Sequence, residues 1–273
     1  MKRIIFFSLI LSIISLVLFC TVGYALEKTA ARIIHLKKDV KINAIKADVG
    51  NAVKEGDEIV TGKRSYVEIG FDTSLKNNIR IAANSLVTIK KISSRQIDIT
   101  LSSGKIFSLL TDIDKDENFR IITPVAVAGV RGTGWSSMVS GDEARFSAFE
   151  NNIFVQAVDN NNNLTKGIII SEGYKLDIRK FELPERINKV SRREKREWDK
   201  FEKILNANIK SFVKRQADQE RETEETEFGR ESERIEKIRD RAESTVERSD
   251  AGRIENNIDR GRGEAPGGQL EKR

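Results

Sequence analysis

The chain has 273 residues, 33% of them charged, and a net charge of +6, enough length for one or two domains. Basic and acidic residues interleave rather than gathering into a one-sided basic stripe, which argues against a nucleic-acid binder. With one histidine and one cysteine, the chain cannot supply the several His or Cys ligands of a zinc site. No metal and no cofactor are expected.

Met1-Lys2-Arg3 is a short positive start, and Ile4 to Phe19 is an apolar run softened by serines. Gly23-Tyr24-Ala25 then places small residues where a signal peptidase reads. Residues 1–25 are expected to be a signal peptide cleaved after Ala25. The alternative is an uncleaved anchor, but the apolar core is shorter than the ~20 residues that a span prefers. Cys20 follows Phe19 rather than a small residue, so a soluble product is favoured over a lipid-anchored one. Cleavage would leave no cysteine and no disulfide framework. No other segment is apolar enough to span a membrane, and the expected location is the periplasm.

Residues 30–182 read as an all-β domain. Val67-Glu68-Ile69-Gly70-Phe71, Ile79-Arg80-Ile81, Thr88 to Ile92, Ile97 to Leu101 and Lys175 to Ile178 are β-branched or alternate with period two. Turn signals separate them at Glu55-Gly56-Asp57, Thr61-Gly62-Lys63, Ser102-Ser103-Gly104, Ser140-Gly141-Asp142 and Asp159 to Asn163. Many short strands with regular turns predict a mainly β domain, rolled and β-helix- or sandwich-like.

Pro184 ends this pattern, and residues 185–249 read as a long charged α-helical arm. Trp198, Phe201, Leu205, Ile209 and Phe212 recur at steps of three and four and form one apolar stripe. An isolated stripe is marginal in water, so it must pack on the β-domain, on a second copy or on a partner. These five residues are therefore a candidate interface. Ile235, Ile238, Ala242 and Val246 restore a weaker heptad-like stripe, and residues 250–273 read as a disordered tail.

The sequence offers little chemistry. His35 lies in a strand-like segment with no nucleophile motif, so a triad is not expected. Gly129-Val130-Arg131-Gly132-Thr133-Gly134 has the glycine spacing of a phosphate loop, but the strand-like Trp135 to Val139 follows where a helix should. Asp159 to Asn163 lacks the glycine and glutamate of a calcium loop and reads as a hairpin turn. No carboxylate pair stands out, and the protein is expected not to be an enzyme.

Several segments, in order, resemble the FecR family. Gly56-Asp57-Glu58-Ile59-Val60-Thr61-Gly62 resembles its GD-x-I-x-T-G turn, and Asp72-Thr73-Ser74 its DGS hairpin, with Thr73 in place of glycine. Ile81 to Val87 resembles the next strand, and Leu101 to Ile106, around Gly104, the L-x-x-G turn. Thr123-Pro124 through Val130-Arg131-Gly132-Thr133 resembles the signature that ends in V-RGT. The resemblance covers roughly Asp48 to Phe154 and implies a periplasmic β-domain with structural motif residues and no catalytic role. Pro124 would fix the start of a strand, and Arg131 would pin a bend at Gly132 through its guanidinium fork. Signalling members of the family carry a cytoplasmic anti-sigma segment, whereas only Met1 to Arg3 precede the apolar run here.

The leading expectation is an exported, non-enzymatic binding or scaffold protein. Its β-domain would recognise envelope or periplasmic proteins, and its arm would serve assembly or self-association, for example as an accessory of a periplasmic flagellar filament. One alternative is a cell-wall or polysaccharide-binding module, for which exposed aromatics among Trp135, Tyr66 and Tyr174 would speak. Another is a periplasmic signalling partner of an outer-membrane receptor.

Overall fold

The computed structural model describes residues 31–261 apart from 94, 112–117, 131 and 183–185; the side chains of 130, 240 and 242–261 also lie outside the description. The expected signal peptide, Cys20, Arg131, Pro184 and the last residues of the tail fall outside it. Among the described residues no helix is long and apolar enough to cross a membrane.

The chain alternates between two sheets. β1 (Ala31–Lys37) lies in the first, and β2 (Val40–Ile42) and β3 (Ile45–Lys46) in the second. β4 (Ala52–Val53) returns to the first, β5 (Glu58–Thr61) to the second, β6 (Tyr66–Gly70) and β7 (Asn77–Ile81) to the first, and β8 (Leu86–Ile92) to the second. β9 (Gln96–Leu110) belongs to both. β10 (Asn118–Ile122) and β11 (Ala126–Val130) lie in the second sheet, and β12 (Gly134–Ser140) and β13 (Glu143–Glu150) in the first. β14 (Ile153–Ala157) and β15 (Ile168–Ile170) lie in the second, and β16 (Tyr174–Arg179) and β17 (Ile187–Lys189) in the first.

The spatial order is β4–β1–β6–β7–β9–β12–β13–β16–β17 in the first sheet. In the second it is β3–β2–β5–β8–β9–β10–β11–β14–β15. All these pairings are antiparallel except β9 with β10, which is parallel. The inward residues of both sheets form one apolar core, including Ile33, Ile59, Ile79, Ile99, Phe146 and Val155. Trp135 is fully buried there, edge-on to Phe119 at 5.8 Å, which in turn meets Phe71 edge-on at 5.6 Å.

Two expected boundaries shift. Ser102-Ser103-Gly104 is a bend inside β9 rather than a reversal: Ser103 pairs with Leu86 in the second sheet and Gly104 with Val139 in the first. Gly104 takes a left-handed φ of +93°, which glycine adopts without steric cost. Ile81 to Val87 is not one strand, because the chain turns between Ile81 and Leu86.

The helical arm begins later than 185. β17 extends the first sheet, and α1 (Arg192–Gly261) follows. Its start is set by Ser191 and Glu194: the Glu194 backbone N–H donates to the Ser191 hydroxyl (3.2 Å), and the Ser191 N–H donates to the Glu194 carboxylate (2.9 Å). This is a capping box. The helix also runs past the expected end at 249, because Gly252 alone costs about 1 kcal/mol and a cluster of breakers begins only at Gly261-Arg262-Gly263.

The chain divides into two compact units, one ending at Phe212 and the other beginning at Val213. The first turns of α1 belong to the β-domain's unit. Trp198, Phe201, Leu205 and Phe212 are buried with Ile34, Leu75, Phe107 and Leu109, and Ile209 is half-buried against them. The five residues expected as a candidate interface thus pack on the molecule's own first sheet, the first of the three expected seats, because Ile34 of β1, Leu75, and Phe107 and Leu109 of β9 offer an apolar outer face there. In the second unit Phe228, Ile235 and Ile238 are exposed on a helix rich in Glu and Arg.

Two predictions follow from this seam. Trp198→Ala should lower the unfolding free energy by about 3–5 kcal/mol, read from chemical denaturation of the full chain. Glu194 provides the second. Burial works to raise its carboxyl, but hydrogen bonds from Ser191 and Lys175 outweigh burial and hold it at about 2, below its ordinary 4.5. Its stabilisation is therefore present above about pH 4.5 and lost as pH falls toward 2. Denaturation midpoints between pH 2 and 5 should fall more steeply for the native chain than for Glu194→Gln; parallel curves would contradict the assignment.

Candidate functional site

The motif residues resolve into two groups of turns. In the first group, Gly56 has φ +90° and donates its N–H to the Ile89 carbonyl (2.8 Å). The Asp57 carboxylate accepts from the Lys54 N–H (2.7 Å) and from Asn43 Nδ2 (2.7 Å). Buried Thr61 donates its hydroxyl to the Ala82 carbonyl (2.5 Å) and accepts from the Ser85 N–H (3.0 Å), and the Gly62 N–H donates to the Asp39 carbonyl (2.9 Å). Ser85 also faces Gly104: a Cβ on Gly104 would stand 2.1 Å from the Ser85 hydroxyl oxygen. These residues lock β5, β8 and β9 together.

The second group brackets β11, from the turn that leads into it to the crossing by which β12 enters the first sheet. The Thr123 hydroxyl donates to the Ala126 carbonyl (2.7 Å) and accepts from the Ala126 N–H (3.0 Å), closing the turn around exposed Pro124. Gly132 has φ +62°, and its carbonyl accepts from Asn151 Nδ2 (3.2 Å). Buried Thr133 donates to the Glu150 carbonyl. Arg131, just before Gly132, lies outside the described residues.

Beyond the crossover, Gly134 is the seat of the helix. A Cβ there would stand 2.5 Å from the Trp198 ring. That ring stacks on Phe149 with centroids 4.7 Å apart and 7° between planes. Glu150, at the same seam, is raised by burial and by the nearby carboxylates Glu202 and Glu172. The helix also covers a buried ion pair of Glu68 and Arg80, with Arg80 Nε donating to Glu68 (2.9 Å) and Asn208 Nδ2 donating to the other carboxylate oxygen (2.8 Å). The Arg80 guanidinium lies between the rings of Tyr66 (4.6 Å) and Phe201 (4.9 Å), and His35 stacks on Tyr66 at 5.5 Å. His35 is thus part of a packed strand face.

The second sheet's outer face carries a groove of about 430 Å³. It is centred on one row of side chains. Lys91 pairs with Asp98, Asp98 with Arg120, Arg120 with Gly129, Gly129 with Phe154, and Phe154 with Ile169. Residues directly opposite in neighbouring strands share a face. Arg120 forks onto Asp98 through Nε (2.8 Å) and a terminal nitrogen (2.6 Å), and this hydrogen bonding raises its pKa further above its ordinary value. Gly129 contributes no side chain, so a slot opens between the guanidinium and the Phe154 ring. Phe154 and Ile169 are 44% and 61% exposed, and Leu164 is exposed at the rim.

Sequence reasoning did not single out Arg120, Phe154, Leu164 or Ile169. The available signal was Gly129 inside a strand pattern, a mark of close approach or of an omitted side chain. The aromatics named for sugar stacking do not line the groove: Trp135 is core, and Tyr66 sits under the helix seam. Among the described residues no cluster of three or more His, Cys, Asp or Glu could hold a metal. Asp159 caps its own turn, its carboxylate accepting from the N–H groups of Asn161 and Asn163 (both 2.8 Å).

Residues 57–154, within the β-domain, match the family described as FecR protein. No curated protein matches the chain. Two crystal structures of a "putative anti-sigma factor" from Parabacteroides distasonis ATCC 8503, at 1.65 and 2.50 Å resolution, are each 12% identical with a TM-score of 0.39. Each match covers 49% of this chain and 59% of the neighbour, so the chain spans about three-fifths of that protein's length.

The two glycines of the signature segment should respond differently to substitution. Gly134→Val displaces the Trp198 ring and should lower the thermal midpoint sharply. A Cβ at Gly129 meets nothing closer than Arg120 Cγ at 3.8 Å, so Gly129→Val should leave stability within about 0.5 kcal/mol. Thermal unfolding of the two variants checks both.

Proposed function

We propose that this chain is an exported, non-enzymatic recognition protein of the cell envelope, with a signalling-related or scaffolding role. Its FecR domain recognises a protein partner through the groove of the second sheet. The observation that carries this is the Gly129 slot, where an exposed apolar patch and a fixed guanidinium meet on the second sheet, opposite the sheet that carries the Trp198 seam. Contiguous apolar exposure in a groove rimmed by polar groups is the usual mark of an interaction surface. Export is supported by the signal-like residues 1–25, and a periplasmic location follows from it. A protein partner fits better than a glycan, because Phe154 is joined in the groove by the aliphatic Leu164 and Ile169 rather than by further flat rings.

The test is capture of tagged full-length protein from gently crosslinked native cells, with mass spectrometry of what accompanies it. Envelope proteins should accompany the native chain and fall by about tenfold or more with Gly129→Val, the scale expected when a central contact is blocked. The same partners at the same yield from Gly129→Val would overturn the proposal.

A further inference from the structure

The groove's chemistry points to the kind of segment that it holds, an inference that rests on the recognition role just proposed. The slot has an apolar floor at Gly129 and Val127, an aromatic wall at Phe154, and a guanidinium wall at Arg120. Both walls are fixed. Asp98 holds the Arg120 fork by two hydrogen bonds, and the Phe154 ring lies over Gly167, where a Cβ would stand 1.8 Å from it. A flat side chain between an aromatic ring and a guanidinium gains ring packing on one side and a cation–π contact on the other.

Among the described residues at the slot and its rim, the exposed charge has one sign. Arg120 keeps a side chain that is 40% exposed, while its partner Asp98 is 9% exposed and already engaged. Lys91 stands exposed at the end of the same row, and Lys166 stands exposed beside Gly167 at the rim. Among the described groove-lining residues there is no acid. A partner complementary to this surface is negative around an aromatic centre.

We infer that the groove takes an aromatic side chain of a partner protein, presented on a segment whose flanking residues are acidic. The aromatic ring enters the Gly129 slot between Phe154 and Arg120. The flanking carboxylates meet the outward N–H groups of Arg120 and the ammonium groups of Lys91 and Lys166. The rim charges steer and orient, and the slot supplies the selectivity for a ring.

Three blocked peptides probe this with the purified full-length chain: one centred on Glu-Glu-Phe-Glu-Glu, one with Ala in place of Phe, and one with Lys in place of every Glu. Binding is read by amide chemical-shift perturbation, with Arg120 and Phe154, which flank Gly129 and are unchanged in every variant, as the reporters. The acidic Phe peptide should bind at Gly129, and the other two should each be weaker by about tenfold, which corresponds to about 1.4 kcal/mol. Gly129→Val should abolish the shift while keeping its thermal midpoint, and Ile169→Glu, a surface change, should weaken the acidic peptide by charge repulsion. Equal affinity for the three peptides, no binding of any, binding unchanged in both variants, or perturbation of the slot by chitin oligosaccharides alone would each overturn the inference. If the peptides fail while cellular capture still depends on Gly129, the segment chemistry falls and the recognition role stands. If capture ignores Gly129, the recognition role itself falls.

Discussion

The fold depends on a missing side chain. At Gly104 a Cβ would collide with Ser85, and the left-handed backbone there would be strained in any other residue. Because neither obstacle exists, β9 bends without breaking and passes from the second sheet to the first. It is the central strand of both. Ser85 fills the space at the bend: its hydroxyl donates to the Ala82 carbonyl (2.8 Å) and accepts from the Lys105 N–H (3.1 Å). Thr61 binds the same turn from β5. The two sheets therefore share one covalent spine, and one core can form between them.

The second crossing, from β11 to β12, divides the roles of the two outer faces. Gly134 gives up its side-chain volume to Trp198, so α1 can lie on the first sheet. Gly129, five residues earlier on the second sheet, gives up its volume to no described residue. The first sheet is consequently sealed by apolar packing and by a buried Glu68–Arg80–Asn208 network, a type of interaction that fixes register more than it adds stability. Among the described residues, the second sheet keeps a slot of defined chemistry open. One segment of about a dozen residues thus builds the helix seat and the groove floor.

Much of the fold was legible in the sequence. β-branched alternation at Val67 to Phe71, Thr88 to Ile92 and Lys175 to Ile178 marks real strands, and the turns at Gly56, Asp72 and Gly141 fall where glycine and aspartate announce them. The bend at Gly104 reads as a reversal in the sequence, because Ser-Ser-Gly carries the same local signal in both cases and the distinction lies in the distant partners Leu86 and Val139. The end of the β pattern at Pro184 places the start of the helix at 185, whereas the Ser191-x-x-Glu194 capping-box signal marks where α1 begins. The stripe from Trp198 to Phe212 was legible as apolar, but its partner was not: the face that it covers is assembled from Ile34, Leu75, Phe107 and Leu109, which are scattered along the chain. The groove was invisible for the same reason. Lys91, Asp98, Arg120, Gly129, Phe154 and Ile169 form one row only after six strands have paired.

The central claim is that the two outer faces have different fates, with the first sheet closed within the molecule and the second open to a partner. Covalent side-chain footprinting of the protein in the cells that make it, compared with the purified chain, tests this most directly. The account predicts that Phe154, Leu164 and Ile169 lose labelling in cells, while Trp198 and Phe201 are equally shielded in both samples. Labelling that changes at Trp198 and Phe201 and stays constant at Phe154 would show that the helix-covered face, not the groove, meets the partner.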